Sequence, residues 1–209
     1  MKKLLVGSDF IGLPSPQTKG KISLEETIAQ RRSRREFLDK ALTLVQLSQI
    51  LWSVQGITEK DGLKKTVPSA GALYPLEVYA VVGKEGVERL EAAVYHYLPL
   101  KHALEIHRFG DWRDKLAQAA LGQFFLAKAP VSLVIAAEYE RVTGKYSKRG
   151  KRYVYMEAGH AAENVYLQVE SLRLGTVVVG AFDDQRVSLV LNLSQELKPL
   201  YLMPLGWPR

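Results

Sequence analysis

Two spacings of apolar residues recur along the chain. Short runs that alternate, or that are apolar throughout, predict strands at 76–82 (LEVYAVV, closed by Gly83), 94–98, 104–108, 131–137, 176–179 and 200–205. Spacings of three and four predict helices at 87–93, 112–121, about 152–174 and 184–191. Two further helices are marked by their starts. Ser23 with Glu26 and Thr43 with Gln46 have capping-box spacing, the hydroxyl accepting from the third helical N–H and the acid or amide reaching back. The first helix runs into a group of arginines. The second places Leu44, Leu47, Ile50, Leu51 and Val54 on one face and stops at Gly56. In the long helix, Val154, Ala158, Ala161, Val165 and Leu172 form an apolar stripe, and the small Gly159 and Ala162 allow another helix to approach closely. Hairpin-like and crossover-like connections are mixed, so the expected class is α+β, a central, mostly antiparallel sheet flanked by helices. Residues 1–20 read as an extended arm and 21–209 as a single domain, without repeat, linker or low-complexity tract.

The 209 residues, 47% hydrophobic and 24% charged, suffice for one domain with a buried core. The absence of cysteine excludes disulfides, thiolate metal sites and cysteine nucleophiles, and the four histidines have no metal-ligand spacing, so no metal is expected. The opening MKKLLVG is too short for a signal sequence and no long apolar run follows, which predicts a cytoplasmic protein without membrane contact. P-loop, dinucleotide-binding, G-x-S-x-G and H-E-x-x-H motifs are missing. A net charge of +7 suits an anionic partner, and where that charge lies narrows the choice.

It lies first in RRSRREF, residues 31–37. At a helix end such cations suit the C-terminal dipole and solvent. In an extended segment, by contrast, Arg31, Ser33 and Arg35 point one way and Arg32 and Arg34 the other, with Phe37 as an inward anchor. Two guanidinium forks and a hydroxyl on one side make a phosphate site. A second charged stretch, GKYSKRGKRYVY, mixes aromatic and basic residues that would also serve a single-stranded nucleic acid. A non-enzymatic nucleic-acid-binding module is therefore the alternative from another class.

Four blocks, ISLEETIAQRRSRREF, PSAGALYPLEVY, GKYSKRGKRYVYMEAGHAAENVYLQVESLRLGTVVVGAFDD and LYLMPLGWP, occur in the order and near the spacing of one family. In them the chain resembles the FMN-dependent nitroreductase superfamily, and more narrowly its SagB-type dehydrogenase branch, which includes azoline oxidases acting on peptides. The resemblance implies a nitroreductase-like fold in an interlocked homodimer and an FMN-dependent oxidoreductase passing hydride through flavin N5. It also implies a small-molecule or peptide substrate, biosynthetic partner proteins and no nucleic acid. NAD(P)H would be the donor if the chain is instead a nitroreductase or a flavin or quinone reductase. By the same resemblance Arg31 and Ser33, with Arg32 beside them, hold the FMN phosphate and ribityl chain, and Arg35 lies near the N1/C2 edge of the ring. Pro68, Ser69, Ala70 and Leu73 line the isoalloxazine, often from the other subunit. Val179 and Gly180 present backbone N–H groups to N5 and O4. Gly206 belongs to the last block, and Arg209 stands where the family continues to basic phosphate ligands. Lys145 and Tyr146 match the Lys-Tyr pair of azoline oxidases and are the expected catalytic residues, although Ser147 follows where the family has glycine. His160, Glu163 and Asn164 read as packing or interface residues, and Trp52 and Tyr155 as core.

Overall fold

In a computed structural model that describes residues 10–59, 62 and 64–209, the apolar runs assemble into one sheet. Strand β1 is Phe10–Gly12, β2 Leu76–Val82, β3 Ala93–Leu98, β4 Ala103–Phe109, β5 Val131–Glu138, β6 Gly175–Thr176 and β7 Leu197–Gly206. Their order across the sheet is β1-β4-β3-β2-β5-β7-β6, and every pairing between them is antiparallel. The expected α+β class is therefore observed. Part of the N-terminal arm is the edge strand β1, and the rest of its start, residues 1–9, lies outside the described residues.

Alternate strand residues feed two cores. Leu76, Val78, Ala80 and Val82 of β2, with Leu133 and Ile135 of β5, face helices α2 (Leu44–Gln55) and α6 (Gly150–Ser171). Tyr79, Val81, Val134 and Ala136 face the opposite way, against α3 (Arg113–Ala119), α4 (Phe125–Lys128) and α7 (Asp184–Leu191). A sheet covered on both faces explains why its central strands are apolar almost throughout. The remaining α-helices among the described residues are α1 (Leu24–Gln30) and α5 (Glu140–Tyr146).

The capping box at Thr43 and Gln46 forms in both directions. At α1 the Ser23 hydroxyl accepts from Glu26 N–H, and no return bond from the Glu26 carboxylate accompanies it among the described residues. The helix expected at 87–93 is absent. Val87 pairs with Leu42, Glu88 N–H donates to Leu42 O, and Glu85 and Arg89 take left-handed φ of 56° and 68°. Val87 and Leu90, whose spacing suggested a helix face, instead anchor a turn in the core. The strand expected at 176–179 shortens to β6 and a single bridge, Val179 to Leu202. The long helix ends at Ser171, with Leu172 as its cap. Among the described residues no helix is long and apolar enough to cross a membrane.

Candidate active site

Helix α1 stops at Gln30 because Arg31 leaves helical geometry, its N–H still bonded to Thr27 O. The segment that follows is extended because it pairs at both ends. Ser33 bridges Thr176, Arg34 N–H donates to Thr176 O, and Phe37 bridges Pro208. The Arg31 guanidinium lies over the Tyr166 ring, 5.1 Å from its centroid, and Ser33 Oγ is 3.1 Å from Tyr166 Oη. That same hydroxyl oxygen accepts from Val178 N–H. Tyr166, on α6, thus ties the arginine segment to residues 176–180, and the sequence reading passed over it.

The other arginines depart from the expected alternation. Arg32 folds back to donate to Ala29 O and Arg31 O, and the stem of Arg34 packs against Gly175. Arg35 does not join Arg31 and Ser33. It lines a cleft of about 650 Å³ with Phe37, Arg113, Lys128 and Arg209, whose own N–H donates to Glu36 O. Among the described residues none of Arg31, Arg32, Arg34 and Arg35 pairs with a carboxylate. Unspent guanidinium donors on one short segment suit an anion.

Val179 corrects a second expectation. It is buried, and both its N–H and its carbonyl are engaged by Leu202, so its N–H is not free for a ligand. The Gly180 N–H has no partner among the described residues, and a Cβ built there would meet only Tyr201, at 3.9 Å. Gly180 lines a cleft of about 610 Å³ with Tyr139, Thr143, Lys151, Tyr155 and Phe182. Tyr155, expected in the core, is 55% exposed and lies edge-on to Tyr139. Gly206 answers to packing: a Cβ there would fall 2.8 Å from the Phe37 ring.

The second group of candidates lies around the 68–75 loop. Pro68 is exposed, Ala70 half-buried, and Leu73 packs against the main core. Gly71, Ala72 and Tyr74 take left-handed φ of 63°, 54° and 45°. For the two residues that carry a Cβ this costs roughly 1–2 kcal/mol each, so the loop needs restraint from outside. Restraint comes from Ser69 Oγ, which accepts from Tyr74 N–H at 2.9 Å and donates to the Glu157 carboxylate, and from Arg141 Nη1, which donates to Tyr74 O at 3.2 Å. Arg141 is itself held by Glu77 and Glu138.

Against this loop lies the Lys-Tyr pair. Lys145 and Tyr146 end α5, a helix not among those expected from the sequence. A Cβ built on Gly71 would fall 3.1 Å from Lys145 Nζ and 2.8 Å from Tyr146 Oη, so a side chain there would displace the tips of both residues, and the positive φ also favours glycine. Tyr146 is half-buried, edge-on to Tyr153, while Lys145 is exposed. Ser147 has φ 50° and ψ −142°, a conformation glycine enters freely, which gives a physical reason for the glycine of the family pattern. Asn164 donates to Ser53 O and Thr66 O within the chain. Trp52 is half-buried, donating to Ile57 O. His160 and Glu163 are exposed.

The fold and these two residue groups define an α+β scaffold with a candidate anion site, and comparison with known proteins identifies its family. Residues 28–207 match the model of the nitroreductase family, and the chain belongs to that family. MJ1384 of Methanocaldococcus jannaschii, named for a nitroreductase, is 49% identical over 185 residues, 88% of this chain and 91% of that protein. The microcin B17-processing protein McbC of Escherichia coli is 30% identical over 81% of this chain and 64% of its own length. Among solved structures, a nitroreductase-family protein of Ralstonia eutropha superimposes with a TM-score of 0.84 at 30% identity, covering 99% of this chain and 92% of that one. The E. coli microcin synthetase McbBCD complex with truncated pro-MccB17 bound gives a TM-score of 0.75 at 26% identity, covering 98% and 79%.

Proposed function

We propose that the chain is an FMN-dependent oxidoreductase acting as a homodimer, of the SagB type, that removes a proton and a hydride from a peptide azoline or a similar C–H donor. The observation that carries this reading is the contact of Lys145 and Tyr146 with Gly71, which puts a base and an acid against the loop that the resemblance assigns to the flavin ring. The donor set fits FMN: guanidinium groups without carboxylate partners at one end, and an unengaged Gly180 N–H with open space above it at the other. Arg31 and Ser33 would hold the phosphate, Gly180 the polar edge of the ring, and Arg35 with Arg209 would add positive potential. When bound, FMN supplies hydride acceptance and donation. Lys145 or Tyr146 takes the substrate proton, and Ser69, Ala70 and Leu73 shape the surface beside them.

Where the two groups sit supports the proposed dimer. Glu157, under the loop, and Tyr166, beside Arg31, are nine residues apart on α6, two and a half turns or ~14 Å, and so project to opposite sides of it. A flavin reaching both kinds of residue draws them from two copies. The exposed face of α6, with Tyr155, Met156, Gly159, His160 and Glu163, is the proposed contact. Ala162 is excluded from it, being buried against its own chain. A Cβ at Gly159 meets nothing within 4 Å in the single chain. Gly159→Arg is therefore expected to keep or raise thermal stability of the fold while giving a monomer by light scattering that retains little flavin. A Gly159→Arg dimer that holds flavin normally contradicts this contact.

A second reading, an NAD(P)H-dependent nitroreductase or flavin reductase, is favoured by the name of the 49% identical relative. Anaerobic bleaching of the flavin separates them. Bleaching by a peptide azoline supports the dehydrogenase; bleaching by NADH or NADPH alone supports the reductase. The McbBCD assembly supports the further proposal that the chain works beside biosynthetic partner proteins.

A further inference from the structure

Glu157 has no role in anything described so far except as the acceptor of Ser69. It lies in the middle of α6 and is 3% exposed. The hydroxyl of Ser69 already accepts from Tyr74 N–H, so its one hydrogen goes to Glu157 Oε2. The other oxygen, Oε1, has no hydrogen-bond partner among the described residues, and neither has Gln55 Nε2, a buried donor on α2. Gln55 Oε1 accepts from Lys65 Nζ at 2.7 Å, which turns the amide so that its N–H₂ is left for the carboxylate side. Glu157 thus has a donor beneath it and a donor in front of it. Lys65 in turn lies over the Tyr74 ring, and its backbone N–H donates to Tyr74 Oη.

We infer that Glu157 is a positioning residue: ionised, it fixes Ser69 and through it the left-handed 68–75 loop, and so sets the surface on which Lys145 and Tyr146 lie. The inference rests on the proposed role of that pair. The surrounding donors favour the ionised form. A proton on Oε2 would oppose the Ser69 hydrogen, and a proton on Oε1 would face the neighbouring Gln55 amide, so protonation disturbs the arrangement on either oxygen.

The charges facing the cluster are Lys65 from the segment after α2, Glu77 from β2 and Arg141 from α5, with Tyr74, Tyr146 and Lys145 across the loop. Burial pushes Glu157 up to about 7, opposed by the Ser69 hydrogen bond, the neighbouring Gln55 amide and Lys65. Burial pushes Lys65 down, opposed by Glu77 and Glu157. Burial also pushes Glu77 up, but His96 and Arg141 outweigh it and keep Glu77 below its ordinary value and ionised. Of the two carboxyls, Glu157 is therefore the one that changes charge near neutrality.

The sign has two parts. A raised folded pKa means that the folded state binds the proton more tightly than the unfolded state, so global stability rises as pH falls from about 7 towards 4.5. The loop moves the other way and loosens as Glu157 takes up its proton. A locally weaker loop in a globally more stable protein is the signature of this arrangement.

Hydrogen exchange of the Tyr74 amide in the protein as purified, corrected for intrinsic rates, measures it from pH 5.5 to 8.5. Wild-type protection is expected to fall roughly tenfold, the scale of one hydrogen bond, as pH drops through about 7. Glu157→Gln, which can still accept from Ser69, should keep protection and lose its pH dependence, and should flatten the pH dependence of thermal stability. Ser69→Ala should lower protection at every pH, and serves if Glu157→Gln does not fold. Flat wild-type protection, or protection unchanged in Ser69→Ala, overturns the inference whatever the reaction. The expected exchange pattern together with undiminished turnover by Lys145→Ala overturns instead the role of the Lys-Tyr pair, and leaves Glu157 as the support of the loop alone.

Discussion

Lys145→Ala is expected to lower turnover of a C–H donor by roughly a hundredfold or more, the scale of a lost general base, with flavin content and oligomeric state unchanged. The side chain is exposed and makes no ion pair among the described residues, so its removal leaves the core intact. Its Nζ lies beside Gly71 and 5.6 Å from the centre of the Tyr146 ring. Stopped-flow bleaching without oxygen reads the step directly. Equal bleaching by NAD(P)H in wild type and variant, with no bleaching by the azoline in either, would reassign the chain to the reductases.

The second large effect concerns the arginine segment. Arg31→Ala is expected to weaken FMN binding by about 1.5–3 kcal/mol, the range of a charge-assisted hydrogen bond, measured by titrating the flavin-free protein. Neighbouring substitutions should rank below it for geometric reasons. Arg32 is folded back on Ala29 O and Arg31 O, so Arg32→Ala should change affinity little. Tyr166→Phe removes the hydroxyl shared by Ser33 and Val178 and should cost about 1 kcal/mol, a single net hydrogen bond. A ranking in which Arg32 outweighs Arg31 would contradict the orientation of the segment.

The sheet was legible because its strands are apolar on both faces and end in turn residues; the 76–82 strand falls where its pattern puts it. The helix misread at 87–93 shows the limit of periodicity, since Val87 and Leu90 have helical spacing but are buried by a turn that pairs with Leu42. Helix α5 escaped notice because Val142 is its one buried residue and no stripe marks it. At the site, residue type and order pointed to Arg31, Ser33, Gly180, Lys145 and Tyr146. What they could not convey was which groups are already spent. Val179 N–H is taken by Leu202, Gly206 by the packing of Phe37, and Arg35 lies in the cleft of Arg209. Tyr166 and Glu157 were invisible for the opposite reason. A tyrosine and a glutamate within a long helix read as ordinary helix residues until the fold puts Ser33 against one and Ser69 against the other.

The central claim is that this chain binds FMN through its arginine segment, and one measurement meets it directly. The protein is purified, its visible spectrum recorded, and the supernatant after heat denaturation separated by chromatography against FMN and FAD standards. The account predicts a yellow protein that releases FMN and not FAD, and an Arg31→Ala variant that is folded but paler and recovers its colour only at higher added FMN. A colourless protein that takes up no FMN on reconstitution, with its fold intact by circular dichroism, would contradict it.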